Sequence, residues 1–526
     1  MPEADRIESD GATRSSPSAP ATGLLRFAVP AVCLGFAAFA MAFGMRTSFQ
    51  VGLNDFWTIA HLARELDPTV GRSLHNGFFP IGGLAVLRAA MAVATAPVSA
   101  WIVSCGAATL ALFASMRVVE RSAGPVFALG VPLLALAHMR WLEYALSQMP
   151  DVWCGGWLAL GTLVALAHVS DDEIGDRRRL LIAVLCGSAA LVRFHAGGWA
   201  LGLVAAEAWT SRDRWRAMAV GIAGLAIGFA PQMIAGIAAG RGPLSTHQSF
   251  NVHKLVHGVD WVQTAHMDLP ESGLAVVLDA PGRFALRYLD AWIGDAWTLA
   301  PGIALVLLTS GAARRRAWML VSAAAIYLVL VAAGDSPRAM VPVVPLIAAT
   351  TCLAIHAAWA RWDAGGGERR LAQLGFGAIV VALCVAIGVR AADLARHRAD
   401  QHDRMTELQT FVVTELGVTS PLELYSDVQE LALPDRPPWQ PHIPGSWGRV
   451  DAWRYDAVWP VLDATDAAAF ADGARGAGIR WLLLSSACGR VGPALPAIAS
   501  GQATGVGLQP VGQWQHFVVV QVVAAP

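Results

Sequence analysis

The sequence predicts a mainly helical, polytopic membrane protein with a small α/β domain at its C-terminus. Of the 526 residues, 55% are hydrophobic and only 15% are charged, whereas soluble globular proteins usually carry about 25% charged residues. Long apolar runs recur between residues 27 and 389, but the segment 395–526 has the composition of a soluble domain. The formal net charge of -1 leaves no basic field that would hold nucleic acid.

The apolar runs predict about eleven membrane spans. A helix needs about 20 apolar residues to cross a bilayer, and residues 1–23 form a polar leader in front of the first run. A further apolar stretch, 78–95, is expected to dip into the membrane without crossing it. The predicted spans centre on residues 27–45, 97–116, 125–139, 151–169, 180–194, 197–210, 218–239, 297–311, 317–333, 339–360 and 371–389.

Arginine clusters in every second loop predict the orientation, since cytoplasmic loops carry an excess of basic residues. The leader is therefore expected in the cytoplasm, and an odd number of spans places the domain 395–526 outside an inner or plasma membrane. The membrane domain is 24–394, with its largest external loops at 46–80 and 240–296. The basic loops include Arg117–Arg121, Asp176–Arg179, Arg212–Arg216, Arg314–Arg316 and Arg361–Arg370.

The segment 395–526 alternates between patterns typical of helices and of strands, which predicts a small α/β fold. Residues 401–416 and 465–477 are expected to be helices. Residues 422–426, 481–485 and 516–523 are expected to be strands. No glycine-rich phosphate loop follows any of these strands, so nucleotide binding is not indicated there.

Two carboxylates near the outer ends of spans are candidates for chemistry. Asp55, preceded by Asn54, follows the first span, and Asp151 opens a later one. An aspartate at the membrane face can coordinate a divalent cation or take a proton from a hydroxyl. Both positions also suit helix capping, where Asn and Asp are common.

Two arginines also lie at outer ends of apolar helices. Arg193 is followed by His195 and two glycines, and Arg338 precedes a proline-rich span. A guanidinium in such a place can bind a phosphate. The alternatives are a structural ion pair for Arg193 and a side chain that reaches water for Arg338. His75, His253 and Lys254 lie in external loops, where they could contact a ligand.

In their order along the chain, these features resemble the GT-C superfamily of polytopic glycosyltransferases. The branch in question contains bacterial relatives of protein O-mannosyltransferases and of the lipid A aminoarabinose transferase. The resemblance covers most of the chain, although each element that carries it is short. These elements are Asn54-Asp55, Gly77–Pro80, Met149–Asp151, Leu191–Phe194 and Arg338–Pro345. Two details depart from the family, because Asp55 lacks a second acidic neighbour and Arg193-Phe-His195 stands where many relatives have Lys-Gly.

The resemblance implies transfer of a sugar from a polyprenyl-phosphate donor to a lipid, glycan or protein acceptor outside the membrane. Asp55 would be the catalytic base, and Asp151 would position the acceptor or a cation. Arg193 and Arg338 would neutralise the departing phosphate. A divalent cation, Mg²⁺ or Mn²⁺, would bind at Asp55 and Asp151 if the enzyme uses one, while Asn54, His75, His195, His253 and Lys254 are candidates for substrate binding.

Two other classes of protein remain open at this stage. A transporter or flippase would place its polar residues at mid-membrane, with broken helices in both halves of the chain. An inactive scaffold would keep the GT-C fold without the chemistry, which the single acid at Asp55 allows.

Overall fold

The computed structural model describes most of the chain, and the following account is confined to that part. The described residues are 27–49, 56–65, 80–167, 175–238, 248–258, 273–333, 336–364, 369–418, 423–426, 461, 464–484, 488, 493–502 and 506–523.

The part of the molecule that precedes the C-terminal sheet is helical throughout the described residues. In chain order its helices are α1 (Ala28–Arg46), α2 (Phe56–Glu65), α3 (Ile81–Met91), α4 (Ala96–Ala123), α5 (Pro125–Ala128), α6 (Gly130–Ala137), α7 (Met139–Ala145), α8 (Pro150–Ala167), α9 (Asp176–Ser188), α10 (Ala196–Thr210), α11 (Arg214–Ala238), α12 (Gln248–His257), α13 (Gly273–Asp279), α14 (Pro281–Asp295), α15 (Ala300–Leu308), α16 (Gly311–Val331), α17 (Ser336–Ala339), α18 (Val344–Ala364) and α19 (Arg369–Thr410). Short 3₁₀ turns at Ala189–Leu191, Ala296–Leu299 and Val341–Val343 precede α10, α15 and α18, and a π-helical turn, Phe411–Glu415, continues α19.

The chain is a multi-pass membrane protein. Within the described residues, seven helical segments are long and apolar enough to cross a bilayer. An eighth crossing results if Pro125–Ala137 and Met139–Ala145, which meet at an angle of 87°, form one broken span.

The difference from the predicted eleven spans concerns three helices. At 1.5 Å per residue, α9 and α10 are shorter than the roughly 30 Å hydrocarbon layer. The third, α16, is 21 residues long but carries three consecutive arginines in its first turns. With these three helices the number of crossings would be eleven, and that number stays a prediction. The apolar stretch 78–95 contains the short helix α3, which at 11 residues does not reach across a bilayer.

Helix α8 is buried among its neighbours because two glycines let other backbones approach it closely. A Cβ atom at Gly156 would lie 2.6 Å from the carbonyl oxygen of Ala107 in α4. A Cβ atom at Gly155 would lie 2.7 Å from the carbonyl oxygen of Pro342 in the turn before α18. Such distances exclude any side chain at either position without a backbone shift. The N-terminal half of α8, which carries Asp151, is therefore fixed between α4 and the start of α18.

Indole hydrogen bonds between helices add to this fixation. Trp153 Nε1 donates to Ser104 Oγ at 2.7 Å, which joins α8 to α4. Trp199 Nε1 donates to Thr162 Oγ1 at 2.9 Å, which joins α10 to α8. Hydrogen bonds of this kind between spans satisfy polar groups that would otherwise face hydrocarbon.

The C-terminal domain contains a four-stranded mixed sheet with strand order β1-β2-β4-β3. Strands β1 and β2 are parallel, whereas β4 is antiparallel to both β2 and β3. The fully buried β2 is covered on both faces, as a central strand of an α/β sheet usually is. The elements of this domain are β1 (Leu424–Ser426), α20 (Ala467–Gly476), β2 (Trp481–Leu484), α21 (Leu495–Ala499), β3 (Leu508–Trp514) and β4 (Phe517–Val522).

The predicted helices and strands of this domain are confirmed, but β3 was not predicted. Its sequence, LQPVGQW, contains proline and glycine, and five of its seven residues are exposed. A polar edge strand with a bulge between Pro510 and Gly512 lacks the apolar alternation on which strand prediction depends.

Helix α19 joins the two parts of the molecule without interruption. Its 42 residues correspond to about 60 Å of helix, and it runs through the predicted domain boundary at residue 394. Near the middle of the helix, Arg390 donates a hydrogen bond to the carbonyl oxygen of Ala137 at the end of α6. At its far end, Phe411 stacks on Trp514 of β3, with ring centroids 4.9 Å apart.

Candidate active site

Asp151 is the buried centre of a charge cluster at the N-terminal end of α8. It lies in the first turn of this helix, where the positive end of the helix dipole stabilises a carboxylate. Only 1% of its surface is exposed. A carboxylate buried this deeply must be paired, since an isolated buried charge is very costly.

Two arginines from distant parts of the sequence provide the pairing. Arg193 Nη2 lies 2.8 Å from Asp151 Oδ2, and Arg338 Nε lies 3.3 Å from the same oxygen. Arg193 comes from the turn between α9 and α10, and Arg338 comes from α17. Three of the residues predicted for the site are thus in direct contact. Among the described side chains in these two contacts, two guanidinium groups face one carboxylate, an excess of one positive charge.

The guanidinium of Arg193 retains hydrogen-bonding capacity. Its Nε is buried and has no acceptor within the described part of the chain. A buried donor of a charged group without a partner costs free energy. A bound anion would satisfy this donor and the excess positive charge together.

Two tyrosines that the sequence analysis did not single out complete the surroundings. The guanidinium of Arg338 lies over the ring of Tyr144, 5.9 Å from its centroid. Tyr327 donates a hydrogen bond to the carbonyl oxygen of Ala339, and its ring meets that of His195 edge-on at 5.6 Å. The sequence did contain a signal for Tyr327, because a tyrosine hydroxyl in the apolar helix α16 usually requires a hydrogen-bond partner.

Asn54, Asp55 and His75 lie outside the described residues, but their loop is described on both sides of Asn54-Asp55. Before it, the carbonyl oxygen of Phe49 accepts a hydrogen bond of 3.0 Å from Gln148 Nε2. After it, Phe56 is fully buried in a cluster with Met149 and Trp153. Both flanks are therefore attached to the segment that leads into Asp151.

His253 and Lys254 belong to a different cluster. They lie on α12, which packs against α13 through Val252, Val256 and Val276. The ring centroids of His253 and His257 are 4.3 Å apart. Burial, followed by the proximity of His257, lowers the pKa of His253, so this side chain is mainly neutral at pH 7. The described contacts of His253 are within this cluster, and its role in substrate binding stays a prediction.

The surroundings of Asp151 do not fit a metal ion. Its Oδ2 atom faces two guanidinium groups, which would repel a divalent cation. Within the described residues, no group of three or more His, Cys, Asp or Glu side chains could hold a metal ion. The predicted Mg²⁺ or Mn²⁺ therefore remains a prediction that involves Asp55.

Two solved membrane proteins share the fold over most of the chain. One is ArnT from Cupriavidus metallidurans bound to undecaprenyl phosphate, with a TM-score of 0.52, 14% identity, and coverage of 94% of this chain and 98% of ArnT. The other is the oligosaccharyltransferase of Archaeoglobus fulgidus in its apo form, with a TM-score of 0.50, 12% identity, and coverage of 90% and 72%. The chain therefore has the overall fold of these two proteins.

By sequence, neither a known protein family nor a curated protein matches the chain. At 12–14% identity the likeness concerns the fold. A shared fold does not fix the roles of individual residues, which depend on the contacts that the side chains make.

Proposed function

We propose that the protein is a membrane glycosyltransferase that moves a sugar from a polyprenyl-phosphate donor to an acceptor hydroxyl on the outer side of the membrane. The observation that carries the proposal is the pair of arginines on the single buried carboxylate of Asp151, at one end of a GT-C bundle. Within the described residues this cluster has an excess of positive charge, and the carboxylate at its centre is buried in the protein.

Arg193 and Arg338 bind the donor phosphate in this scheme. Charge-assisted hydrogen bonds from arginine to phosphate are strong and directional. They also stabilise the leaving group as its negative charge develops. ArnT, which shares the fold, was solved with undecaprenyl phosphate, and this supports a lipid phosphate as a ligand of the present protein.

Asp151 is assigned the role of positioning the two arginines, in place of the acceptor or cation that the resemblance implied. Its Oδ2 atom already accepts from both arginines, so a proton on this oxygen would break the ion pairs. The carboxylate holds the two guanidinium groups close together despite their mutual repulsion. Its removal is expected to disturb donor binding.

Asp55 is the proposed base. The support comes from its neighbours, since Phe56 packs with Met149 and Phe49 is bonded to Gln148. Consecutive Cα atoms are 3.8 Å apart, so a residue adjacent to Phe56 is within reach of the segment that contains Asp151. The sequence offers no other acidic residue between Phe49 and Phe56.

The proposed reaction is a displacement at the anomeric carbon of the sugar. The acceptor oxygen forms a bond to this carbon, and the bond from the carbon to the phosphate oxygen breaks. The bonding electrons leave with the polyprenyl phosphate, whose charge Arg193 and Arg338 neutralise. The hydroxyl proton passes to the carboxylate of Asp55.

The orientation follows from the alternating arginine clusters and belongs to the same proposal. The leader lies in the cytoplasm of a cell with an inner or plasma membrane, and Asp151 and the C-terminal domain lie outside. A lipid-linked donor suits this side of the membrane, because its phosphate stays at the bilayer surface.

The decisive experiment measures transfer of radiolabelled sugar from polyprenyl phosphate in membranes, together with binding of undecaprenyl phosphate. Asp55→Asn should reduce transfer by about 10²–10⁴-fold, as the loss of a general base typically does, while binding persists. Arg193→Ala should weaken binding itself. Asp67→Asn, in the same loop, is the matched control and should be fully active. Full activity of Asp55→Asn would remove the catalytic role and favour a transporter or scaffold.

A further inference from the structure

A cavity lies at the bend between α6 and α7, close in sequence to residues of the arginine cluster. It has a volume of about 560 Å³, within the range of about 300–1,000 Å³ that is usual for ligand sites. Its walls come from the bend itself, from the 3₁₀ turn before α15, and from the first turns of α18.

The bend that forms one wall is a stable feature of the structure. The chain turns by 87° at His138, and the side chain of this residue caps α7 by accepting a hydrogen bond from the Trp141 backbone nitrogen. Arg390 of α19 donates to the last carbonyl of α6. At this bend, the last carbonyl group of α6 and a backbone N–H group at the start of α7 therefore both have side-chain partners, although the helix is interrupted.

The lining of the cavity is polar at the bend and mainly apolar along α18. His138, Arg140 and Asp295 lie at the bend. The α18 wall is formed by Val344, Ile347, Ala348 and Thr351, which share one face of a helix at spacings of three and four residues. This face extends for about 10 Å along α18. Polar groups at one end of an apolar slot suit an amphiphile.

The polar end of the cavity adjoins the arginine cluster. Arg140 and Tyr144 are one helical turn apart on α7, and the Tyr144 ring carries the guanidinium of Arg338. Arg338 itself is not part of the lining, but it contacts Asp151 and lies two residues before a lining residue, Met340.

The charges near the bend favour an anionic headgroup. Arg140 is exposed at the mouth, and Arg390 is bonded to the carbonyl group next to His138. Arg140 and Asp295 line the cavity, and Arg390, which is not part of the lining, adds a second cation beside the bend. The oxygens of Asp295 can accept from hydroxyl groups. The combination suits a lipid with both a phosphate and free hydroxyl groups in its headgroup.

We propose that this cavity is the acceptor site and that the acceptor is a lipid with an anionic, hydroxyl-bearing headgroup. The alkyl chain lies along α18, and the headgroup lies at Arg140, where one of its hydroxyls faces the donor sugar held at Arg338. This inference rests on the proposed function, and it selects a lipid from the acceptor classes that the sequence left open.

The test uses a phosphatidylglycerol probe with a photoactivatable group in its acyl chain, bound to the purified full-length protein. We expect labelling within the segments 134–140 and 340–351. Ala348→Phe fills the slot and should lower labelling about tenfold, which corresponds to roughly 1.4 kcal/mol of binding free energy. Ile355→Phe is the matched control, since Ile355 is exposed on the same helix, and it should not change labelling.

Arg140→Gln provides a second variant at an exposed position, where folding is not at risk. It should also reduce labelling, whereas Arg121→Gln, in a loop predicted to be cytoplasmic, should not. Binding of undecaprenyl phosphate should be the same in all four variants, and undecaprenyl phosphate should not displace the probe.

Two results would overturn the acceptor site: labelling that survives both Ala348→Phe and Arg140→Gln, or displacement of the probe by undecaprenyl phosphate. Because labelling requires no turnover, this failure is distinguishable from a failure of the proposed function. A labelled cavity in a protein that transfers no sugar would contradict the transferase and leave the lipid site in place.

Discussion

The side-chain amide of Gln148 donates a hydrogen bond of 3.0 Å to the carbonyl oxygen of Phe49. This bond joins the turn after the first span to the segment three residues before Asp151. Ser48 and Phe49 have positive φ angles of 52° and 53°, a conformation that side chains other than glycine adopt only where the surroundings fix it. The turn is fixed at a second point, where the ring of Phe49 meets Trp101 edge-on at 6.0 Å.

The Gln148–Phe49 bond should matter for the rate of transfer. Gln148→Met keeps the size of the side chain but removes the donor, so the loop that leads to Asp55 loses one of its attachments. We expect transfer to fall by about 10- to 100-fold, because small displacements of a catalytic group have effects of this size. Ser147→Ala removes only a local bond to the Tyr144 carbonyl, and near-normal activity is expected. Equal activity of the two variants would contradict the positioning role.

Asp151 should stabilise the fold as well as position the arginines. Asp151→Asn leaves two partly buried guanidinium groups without their carboxylate. Loss of one partner from a fully buried ion pair typically costs about 3–5 kcal/mol, so a loss of about 2–4 kcal/mol is expected here. Denaturant or thermal unfolding in detergent measures this change. Asp393→Asn is the control, because Asp393 and Arg396 form an ion pair in which both side chains are more than 60% exposed. Its effect should stay within about 1 kcal/mol, and an equal loss in both variants would argue against a special role for the Asp151 cluster.

Gly155 should be required for the position of Arg338. A Cβ atom at Gly155 would lie 2.7 Å from the Pro342 carbonyl oxygen, so Gly155→Ala pushes away the turn that follows Arg338. We expect a loss of about 1–3 kcal/mol in the free energy of unfolding and weaker binding of undecaprenyl phosphate. Gly106→Ala, at a helical glycine with open space around it, should be neutral or slightly stabilising. Unchanged binding of undecaprenyl phosphate in Gly155→Ala would show that the contact between Gly155 and Pro342 does not position Arg338.

The orientation can be tested with a reporter enzyme that is active only outside the cytoplasm. Fused after Pro526, it should be active, because the C-terminal domain is predicted to be external. Fused after Arg212, in a basic loop, it should be inactive. The reverse pattern would place Asp151 on the cytoplasmic side and would exclude the proposed external reaction.

The sequence by itself determined the class of the fold and most of its elements. The lengths of apolar runs gave α1, α4, α8 and α18, since a bilayer requires about 20 apolar residues of any span. Asp151, Arg193 and Arg338 stood out for a related reason, because a charge in an apolar environment is costly and needs a partner. These signals are local, so they can be seen without coordinates.

Only the tertiary structure decided how these residues meet. Asp151 is separated from Arg193 by 42 residues and from Arg338 by 187 residues, and their contact depends on how α8, α10 and α17 pack. The same holds for Tyr144 under Arg338 and for the cavity at the 87° bend. Helix periodicity determines which residues share a face of one helix, whereas close packing among several helices determines which faces meet. The partners of a buried charge are therefore determined by long-range contacts, which local sequence patterns do not predict.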